Sequence, residues 1–526
     1  MMVEGQGHGH DAVDVAGWLA SGRAFASGGP VEVIGTHAAL IVLHGDRAWK
    51  IKRPVSLGYL DFSTAEKRKL ALDAELTLNR RAAPDVYIAV HAITLSKAGT
   101  LALEGEGEIV DWVLEMRRFP AGALLGEMIA AGAVTDDTMR ALADAILALH
   151  AGAAVATGQG AARLRRVIDG NAAAMARYPD ILPPDRATAL TVQLIAQTTH
   201  HSGLLDMRCL AGRVRQGHGD LHLANIVLLE GRPVLFDCLE FDPELATSDV
   251  LYDLGFLLMD LCAKGRHHEA NLVFNRYLDC SAQDEAGVAL IGLFMAVRAS
   301  IRAHVLAAQS SLDPSSPTAR MRALRYLELA ETLSRGQAAR LVAVGGLSGS
   351  GKSTLARSLG GAIGAAPGAR ILRSDVLRKR LAGVAPEVHL SPAHYTPEES
   401  ARVYAEMARL AAQALGIGQS VLADAVFSRA QERRDIAAVA RDAGVPFDGL
   451  WLEVGTQERL ERVAARPPDA SDADPAVVRA QAATGQAPPL DWVTLNASGA
   501  FDELRAAARR SLDLSPAVPR DDAMPG

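Results

Sequence analysis

At 526 residues the chain is too long for one ordinary hydrophobic core, so two or three domains are expected. With 49% hydrophobic and 22% charged residues it is globular rather than disordered. A formal charge of −7, from 54 basic and 61 acidic residues, argues against a dominant nucleic-acid or anionic-membrane surface.

The four cysteines (Cys209, Cys238, Cys262, Cys280) form no C-x-x-C pair and read as buried reduced thiols. No apolar run reaches the roughly 18 residues of a membrane span. The N-terminus carries no apolar signal-peptide core, and His8 and His10 stand on what reads as a floppy terminus. A cytoplasmic protein without membrane contact is expected.

Residues 1–30 read as an extension, with a short helix over Val13–Ser21. From Val31 the segments VEVIG, ALIVLHG and RAWKIKR alternate as strands, with His44-Gly45-Asp46 as a turn. Lys50 and Lys52 share one face of the third strand. Thr64–Arg81 is strongly helical, capped by Ser63 or Thr64, and carries Glu75. Val86–Leu95 and Ile109–Met116 are further strands. RRFPAG, from Arg117, breaks the pattern, and the chain is mostly helical from about Leu124 to Leu210.

Next comes His218-Gly219-Asp220-Leu221-His222-Leu223-Ala224-Asn225. Two short strands follow, around a turn at Glu230–Pro233, and the second delivers Asp237. Asp220, Asn225 and Asp237 are expected to converge at one end of this hairpin. Phosphoryl transfer requires such a set: a carboxylate to accept the hydroxyl proton, and an Asn and a second carboxylate to hold Mg²⁺ against the nucleotide phosphates. A lysine on an early strand, held by a helix glutamate, anchors the α- and β-phosphates. Lys50 or Lys52 with Glu75 can supply this pair, with Lys50 preferred.

The run H-G-D-x-x-x-x-N and the Phe236-Asp237 strand end resemble the aminoglycoside phosphotransferase-like kinases, relatives of protein kinases. The resemblance covers roughly residues 30–310. It implies that Asp220 is the catalytic base, that Asn225 and Asp237 are Mg²⁺ ligands, and that Glu115–Arg118 form the hinge beside adenine. GTHAALIVL, AWKIKRPVSLGYLDFST and ELTLNRRAAPDVY resemble a bacterial subgroup in which such a domain is fused to a P-loop kinase. Two departures stand out. Gly35-Thr36-His37-Ala38-Ala39 replaces a G-x-G-x-x-G loop, and Cys238-Leu239-Glu240 follows Asp237.

Val250–Cys262 reads as a buried helix in which Asp253 and Asp260 are structural. Arg298 and Arg302, one turn apart, read as a solvated face, with an anionic substrate contact as the alternative. Residues 310–317 are a loop signal, and Thr318–Arg335 is an amphipathic helix that ends the first region or bridges to the second.

Gly346-Leu347-Ser348-Gly349-Ser350-Gly351-Lys352-Ser353-Thr354 matches G-x-x-x-x-G-K-[ST] without mismatch. A buried strand, Leu341–Gly345, precedes it and a helix follows. Gly346, Gly349 and Gly351 let the backbone turn its N–H groups, including those of Ser348, Ser350 and Thr354, toward phosphate oxygens. Lys352 reaches the β- and γ-phosphates, and the Ser353 hydroxyl binds Mg²⁺.

After the P-loop, strands and helices alternate as in a parallel sheet. One strand ends at Ser374-Asp375 and another at Asp424, where ligands of such sheets bind. Asp375 is placed to accept a hydroxyl proton or to hold Mg²⁺ through water; Asp424 is placed as a metal carboxylate or substrate ligand. For both, helix capping is the competing role. Arg462 and Arg466 precede a Pro/Asp-rich loop that reads as a lid, where arginines can neutralise the transferred phosphoryl group; exposed helix positions are the alternative. This part, with RSDVLRKR, VLADAVFSR and RVAARPPDASDAD, resembles P-loop kinases of the gluconate-kinase, polynucleotide-kinase and zeta-toxin type.

The expectation is a two-domain α+β and α/β chain: a bilobal kinase-like domain at 31–310, a linker helix at 311–337, a P-loop NTPase domain with a parallel sheet at 338–515, and a tail at 516–526. Its expected work is transfer of the ATP γ-phosphate, with Mg²⁺, to a hydroxyl of a small polar molecule. The alternatives are a nucleotide-gated ATPase whose N-terminal domain is a non-catalytic pseudokinase, and a toxin-like kinase of nucleotide sugars.

Overall fold

The computed structural model describes residues 14–25, 28, 30–36, 38–57, 60–240, 242–312, 317–466, 469–483 and 488–514. His8, His10, His37, Pro467, Pro468 and the tail 516–526 lie outside the described residues. The chain divides into two compact units, Met1–Ala133 with Gln216–Thr247, and Val134–Arg215 with Ser248–Gly526. Residues 134–215 and 248–312 thus share a unit with the P-loop domain.

The first unit is built on an antiparallel sheet ordered Val31–Gly35, Ala39–His44, Arg47–Lys52, Glu108–Arg117, Tyr87–Leu95, Leu101–Leu103. His44 pairs with Arg47, so the first hairpin turns on Gly45-Asp46, with Gly45 at φ +57°. One sheet face buries Leu40, Val42, Ile51, Ile93 and Val113 against the short helix Val15–Ala20. On the other face lies the helix Ala65–Asn79, capped by the Thr64 side chain and anchored by an Arg68–Asp111 ion pair of 2.7 Å. Its buried face presents Leu72 and Glu75. The second hairpin, Ile226–Leu229 with Arg232–Leu235, turns on two residues, Glu230 (φ +51°) and Gly231 (φ +77°). The turn expected at Glu230–Pro233 is therefore shorter, since Arg232 and Pro233 already pair with the first strand.

In the second unit, five parallel strands run in the order Arg370–Arg373, Val421–Asp424, Leu341–Gly346, Phe447–Glu453, Val493–Asn496. Alternate residues of the central strand feed two cores. Leu341 and Ala343 pack with Met407 and Trp451, while Val342 and Val344 pack with Leu355 and Leu359. Both faces are covered, as a parallel sheet requires.

The same unit contains the helices of the kinase-like region. Pro317–Arg335 does not bridge freely. Glu331 takes a two-point ion pair from Arg186 (2.8 and 2.9 Å), and the Ser334 carbonyl accepts the amides of Gln193 and Gln197. Arg298 is not on a solvated face: it is buried, 4.0 Å over the Tyr252 ring and 4.7 Å over that of Phe256. Asp253 is buried between it and His150, in the structural role expected. The stretch Ala282–Ser311, which holds Arg298, is long and apolar enough by composition to cross a membrane; 72% of its apolar window is buried within the protein. Of the cysteines, Cys280 is exposed rather than buried.

The edge strand Arg370–Arg373 is closed by the helix His267–Cys280. Asn275 accepts the Ile371 N–H (2.7 Å) and donates to the Ala369 carbonyl (3.1 Å), so its side-chain amide takes the place of a neighbouring strand. Asn271 donates to Pro367 and Ala369 carbonyls. Arg370, 1% exposed, pairs with Asp279 at 2.9 Å and Glu285 at 2.8 Å. Such saturation of buried polar groups fixes the helix against the sheet.

Two candidate phosphoryl-transfer sites

In the first unit, alternation along Arg47–Lys52 places Lys50 and Lys52 on one buried face. Lys50 Nζ lies 2.6 Å from Glu75 Oε1 and 2.7 Å from Asp237 Oδ1. Lys52 Nζ lies 2.7 Å from Glu75 Oε2 and 2.5 Å from Glu240. Both lysines therefore hold Glu75, and Lys50 also meets Asp237. Burial by itself lowers the Lys50 pKa; Asp237 and Glu75 outweigh it and hold the ammonium well above its ordinary value. Asp237 is shifted down, Lys50 overcoming the cost of burial. Glu240, three residues after Asp237, supplies Lys52 with its second carboxylate.

The catalytic-type loop is set by its backbone. His218 is buried and its Nε2 meets the Phe236 carbonyl at 2.9 Å. Gly219 has φ +80°, and a Cβ there would sit 2.8 Å from Leu239 Cβ. Asn225 donates to the Asp220 carbonyl (3.0 Å) and carboxylate (3.2 Å). Asp237 itself has φ +61°, a strained setting for a side-chain-bearing residue, and its N–H is held by the Tyr87 hydroxyl at 3.0 Å. Lys50, Glu75, Asp220, Asn225 and Asp237 are thus brought together. In place of a glycine-rich loop, the hairpin of Val31–Gly35 with Ala39–His44 carries a hydrogen bond from the Ala39 N–H to the Thr36 hydroxyl at 2.9 Å.

In the second unit, Gly346 (φ +140°), Gly349 (φ +84°) and Gly351 (φ +93°) all adopt conformations that side chains resist. A Cβ on Gly349 would also strike the Arg459 carbonyl at 2.7 Å. Gly351 starts the helix Lys352–Gly360, so the N–H groups at the start of that helix open on a cavity of about 1460 Å³. Ser348, Ser350, Lys352, Ser353 and Thr354 line it, as do Asp375, Asp424, Arg462 and Arg466. Lys352 Nζ turns back to the Leu347 carbonyl at 3.1 Å, and burial lowers its pKa.

Asp375 lies in the first turn of the helix Ser374–Leu381, not at the strand end, since the strand stops at Arg373. It still faces the cavity. Burial raises its pKa, with Arg373 opposing and Asp424 reinforcing. Asp424 ends its strand as expected, 3% exposed, with Oδ2 lacking a hydrogen-bond partner among the described residues. That oxygen lies 3.5 Å from Arg373 Nε, and Asp424 and Ser353 line the same cavity, a donor set that fits a hydrated Mg²⁺ held mainly by phosphates. No cluster of three or more metal-ligating side chains occurs among the described residues. Arg462 meets the Ser350 carbonyl at 3.4 Å and the Ala497 carbonyl at 2.7 Å; Arg466 donates to the Ser471 and Ala473 carbonyls. Neither is an exposed helix position.

Several residues escaped the sequence reading. The helix Pro475–Ala483 carries Gln481, whose Oε1 accepts the Ser348 N–H at 2.8 Å. Arg357 and Arg373 line the cavity, as do Arg140 and Arg276 from the helical region. Arg373 carried a local signal, its place directly before Ser374-Asp375. Arg140 and Arg276 carried none.

A model of the phosphotransferase enzyme family matches residues 90–291, and a model of an AAA domain matches 341–488. Protein Rv2004c of Mycobacterium tuberculosis is 31% identical over 474 residues, covering 88% of this chain and 91% of the relative. The chain belongs to the family of that protein. It joins a kinase-like domain to a P-loop NTPase domain with a parallel sheet. Among solved structures, a choline/ethanolamine kinase family protein from Mesorhizobium loti is 18% identical, covering 60% of this chain and 92% of that one, with a TM-score of 0.38. A gluconokinase from Sinorhizobium meliloti is 18% identical, covering 33% and 91%, with a TM-score of 0.25.

Proposed function

We propose that the P-loop part of the chain is an ATP-dependent kinase that transfers the γ-phosphate to a hydroxyl of a small polar molecule. One observation carries this reading: the P-loop, Asp375 and Asp424 open on a single cavity with room for a nucleotide and an acceptor together. The loop N–H groups and Lys352 bind and orient the phosphates. A lysine with a burial-lowered pKa is under-solvated, and phosphate oxygens restore its lost hydration. Asp375, with its raised pKa, is suited to take the acceptor's proton as the hydroxyl attacks. Ser353 and Asp424 would hold the Mg²⁺, which supplies charge neutralisation between the β- and γ-phosphates. Arg462 and Arg466 are the cations at hand for charge on the transferred group.

The test is Mg²⁺-dependent ATP consumption against a panel of sugars, polyols, nucleosides and aminoglycosides. Stimulation by an acceptor in the wild type, abolished in Asp375→Asn, supports the reading. Stimulation that survives that change removes Asp375 as base.

For the N-terminal site, the intact Lys50–Glu75–Asp237 and Asp220–Asn225 contacts support a second phosphotransferase, with Asp220 as base and Asn225 and Asp237 toward Mg²⁺. The Thr36–Ala39 turn, which lacks a glycine loop over the phosphates, favours a non-catalytic ligand-binding role that gates the P-loop ATPase. Product analysis separates them: a phosphorylated small molecule lost in Asp220→Ala supports catalysis there, and ADP with free phosphate alone supports gating.

A further inference from the structure

The cavity above the P-loop has a wall that the P-loop domain does not build. Arg140 and Asp144, from the helix Asp136–Gly152, and Arg276, from His267–Cys280, line it. These helices lie within the residues matched by the phosphotransferase family model. Arg276 holds the wall together, meeting Asp144 at 2.7 and 3.0 Å and Glu387 at 2.5 Å. His268 and Asp136, 2.9 Å apart, tie the two helices at their starts.

The cations on this side of the cavity are unevenly compensated. Arg276 has two carboxylates, and Arg140 pairs with Asp137. Arg373 takes both oxygens of Asp469, at 3.2 and 2.9 Å. Arg357, partly buried on the P-loop helix, pairs among the described residues with the same Asp469 carboxylate alone, at 3.8 Å. Its Nη1 is buried with no hydrogen-bond partner among the described residues. Burial lowers its pKa, and Arg373 and Arg140 add repulsion that Asp469 and Asp424 do not cancel. Asp469 thus serves two guanidinium groups, of which Arg373 also meets Asp424 at 3.5 Å, and a third guanidinium, Arg140, lines the same wall. This pattern suits an oxyanion carrying more charge than a carboxylate, since guanidinium forks match phosphate oxygens.

We propose that Arg140, Arg357 and Arg373 form a composite oxyanion subsite for the acceptor, built jointly by the helical wall and the P-loop domain, and that the acceptor is a phosphate ester bearing a free hydroxyl. Asp469 stands in for the phosphate in the unliganded chain. This rests on the reading of the cavity as a kinase site.

The test uses the full chain saturated with Mg²⁺ and AMPPNP, which fills the triphosphate position, and titrates inorganic phosphate by calorimetry, with acetate as the singly charged comparison. Phosphate is expected to bind at least tenfold more tightly than acetate. Its affinity is expected to fall at least fivefold in Arg140→Ala and tenfold in Arg357→Ala. It is expected to rise at least threefold in Asp469→Asn, which removes the competing carboxylate, an increase that misfolding cannot mimic. An adventitious ion only, with affinity unchanged in Arg140→Ala or not raised in Asp469→Asn, overturns the proposal. So does the absence of phosphate binding, or acetate binding equally well. The kinase reading fails separately: AMPPNP binding by Lys352→Ala equal to wild type would remove it whatever phosphate does.

Discussion

Gln481 caps the P-loop: its Oε1 accepts the Ser348 N–H at 2.8 Å, and its amide donates to the Ser348 hydroxyl at 3.1 Å. An N–H group that the motif directs at phosphate is therefore spent on a side chain 133 residues away. A nucleotide must displace this pair. Removing it takes away a competitor worth about 1 kcal/mol, a typical net hydrogen bond. Gln481→Ala is expected to tighten Mg-AMPPNP binding by roughly fivefold. Calorimetric titration reads it, and weaker binding would show that Gln481 helps hold the nucleotide instead.

Lys352→Ala separates function from stability. The ammonium is disfavoured by burial, so its loss is expected to leave the melting temperature unchanged or slightly higher. Turnover is expected to fall by roughly a hundredfold or more, as for loss of a charge-stabilising group. A melting temperature lowered by several degrees would show that the lysine supports the loop structurally.

Glu75 is fully buried between two ammonium groups. Glu75→Ala is expected to cost about 3 kcal/mol, the low end for breaking a buried pair, because Asp237 and Glu240 remain. Urea denaturation followed by tryptophan fluorescence measures it. A change below about 0.5 kcal/mol, the scale of a surface substitution, would contradict the role given to this pair.

His304 sets a pH dependence. Burial, then Arg177, lowers its pKa from 6.5 to about 4 in the folded chain. The unfolded chain therefore binds this proton first, and stability is lost as pH falls from 6.5 toward 4. The loss is at most about 3.5 kcal/mol, at roughly 1.4 kcal/mol per unit. His304→Gln is expected to flatten denaturation midpoints over that range. An unchanged slope would assign the dependence elsewhere.

Local physics explains what the sequence displayed. The P-loop was legible because three glycines, a lysine and a hydroxyl must stand at fixed spacing. Lys50, Glu75, Asp220, Asn225 and Asp237 followed from alternation, helix pattern and hairpin. Spacing alone left Lys50 and Lys52 equivalent, because both lie on one strand face; only contact with Asp237 distinguishes them. Arg298 read as solvated because arginine usually is, whereas Tyr252 and Phe256, some 40 residues earlier, provide its stacking surfaces. The helix Pro475–Ala483 buries one side chain, Val478, too few for an amphipathic signal. The pairing of Asn275 with the edge strand at Ile371 joins distant segments that no local pattern links.

The central claim is that phosphoryl transfer to a small acceptor occurs at the P-loop. Its most direct test is transfer of labelled γ-phosphate from ATP to an acceptor panel by wild type, Lys352→Ala and Asp220→Ala, with labelled products resolved chromatographically. A labelled acceptor formed by the wild type and lost in Lys352→Ala is the predicted result. Labelled acceptor that persists in Lys352→Ala and disappears in Asp220→Ala would contradict it and move the chemistry to the N-terminal site.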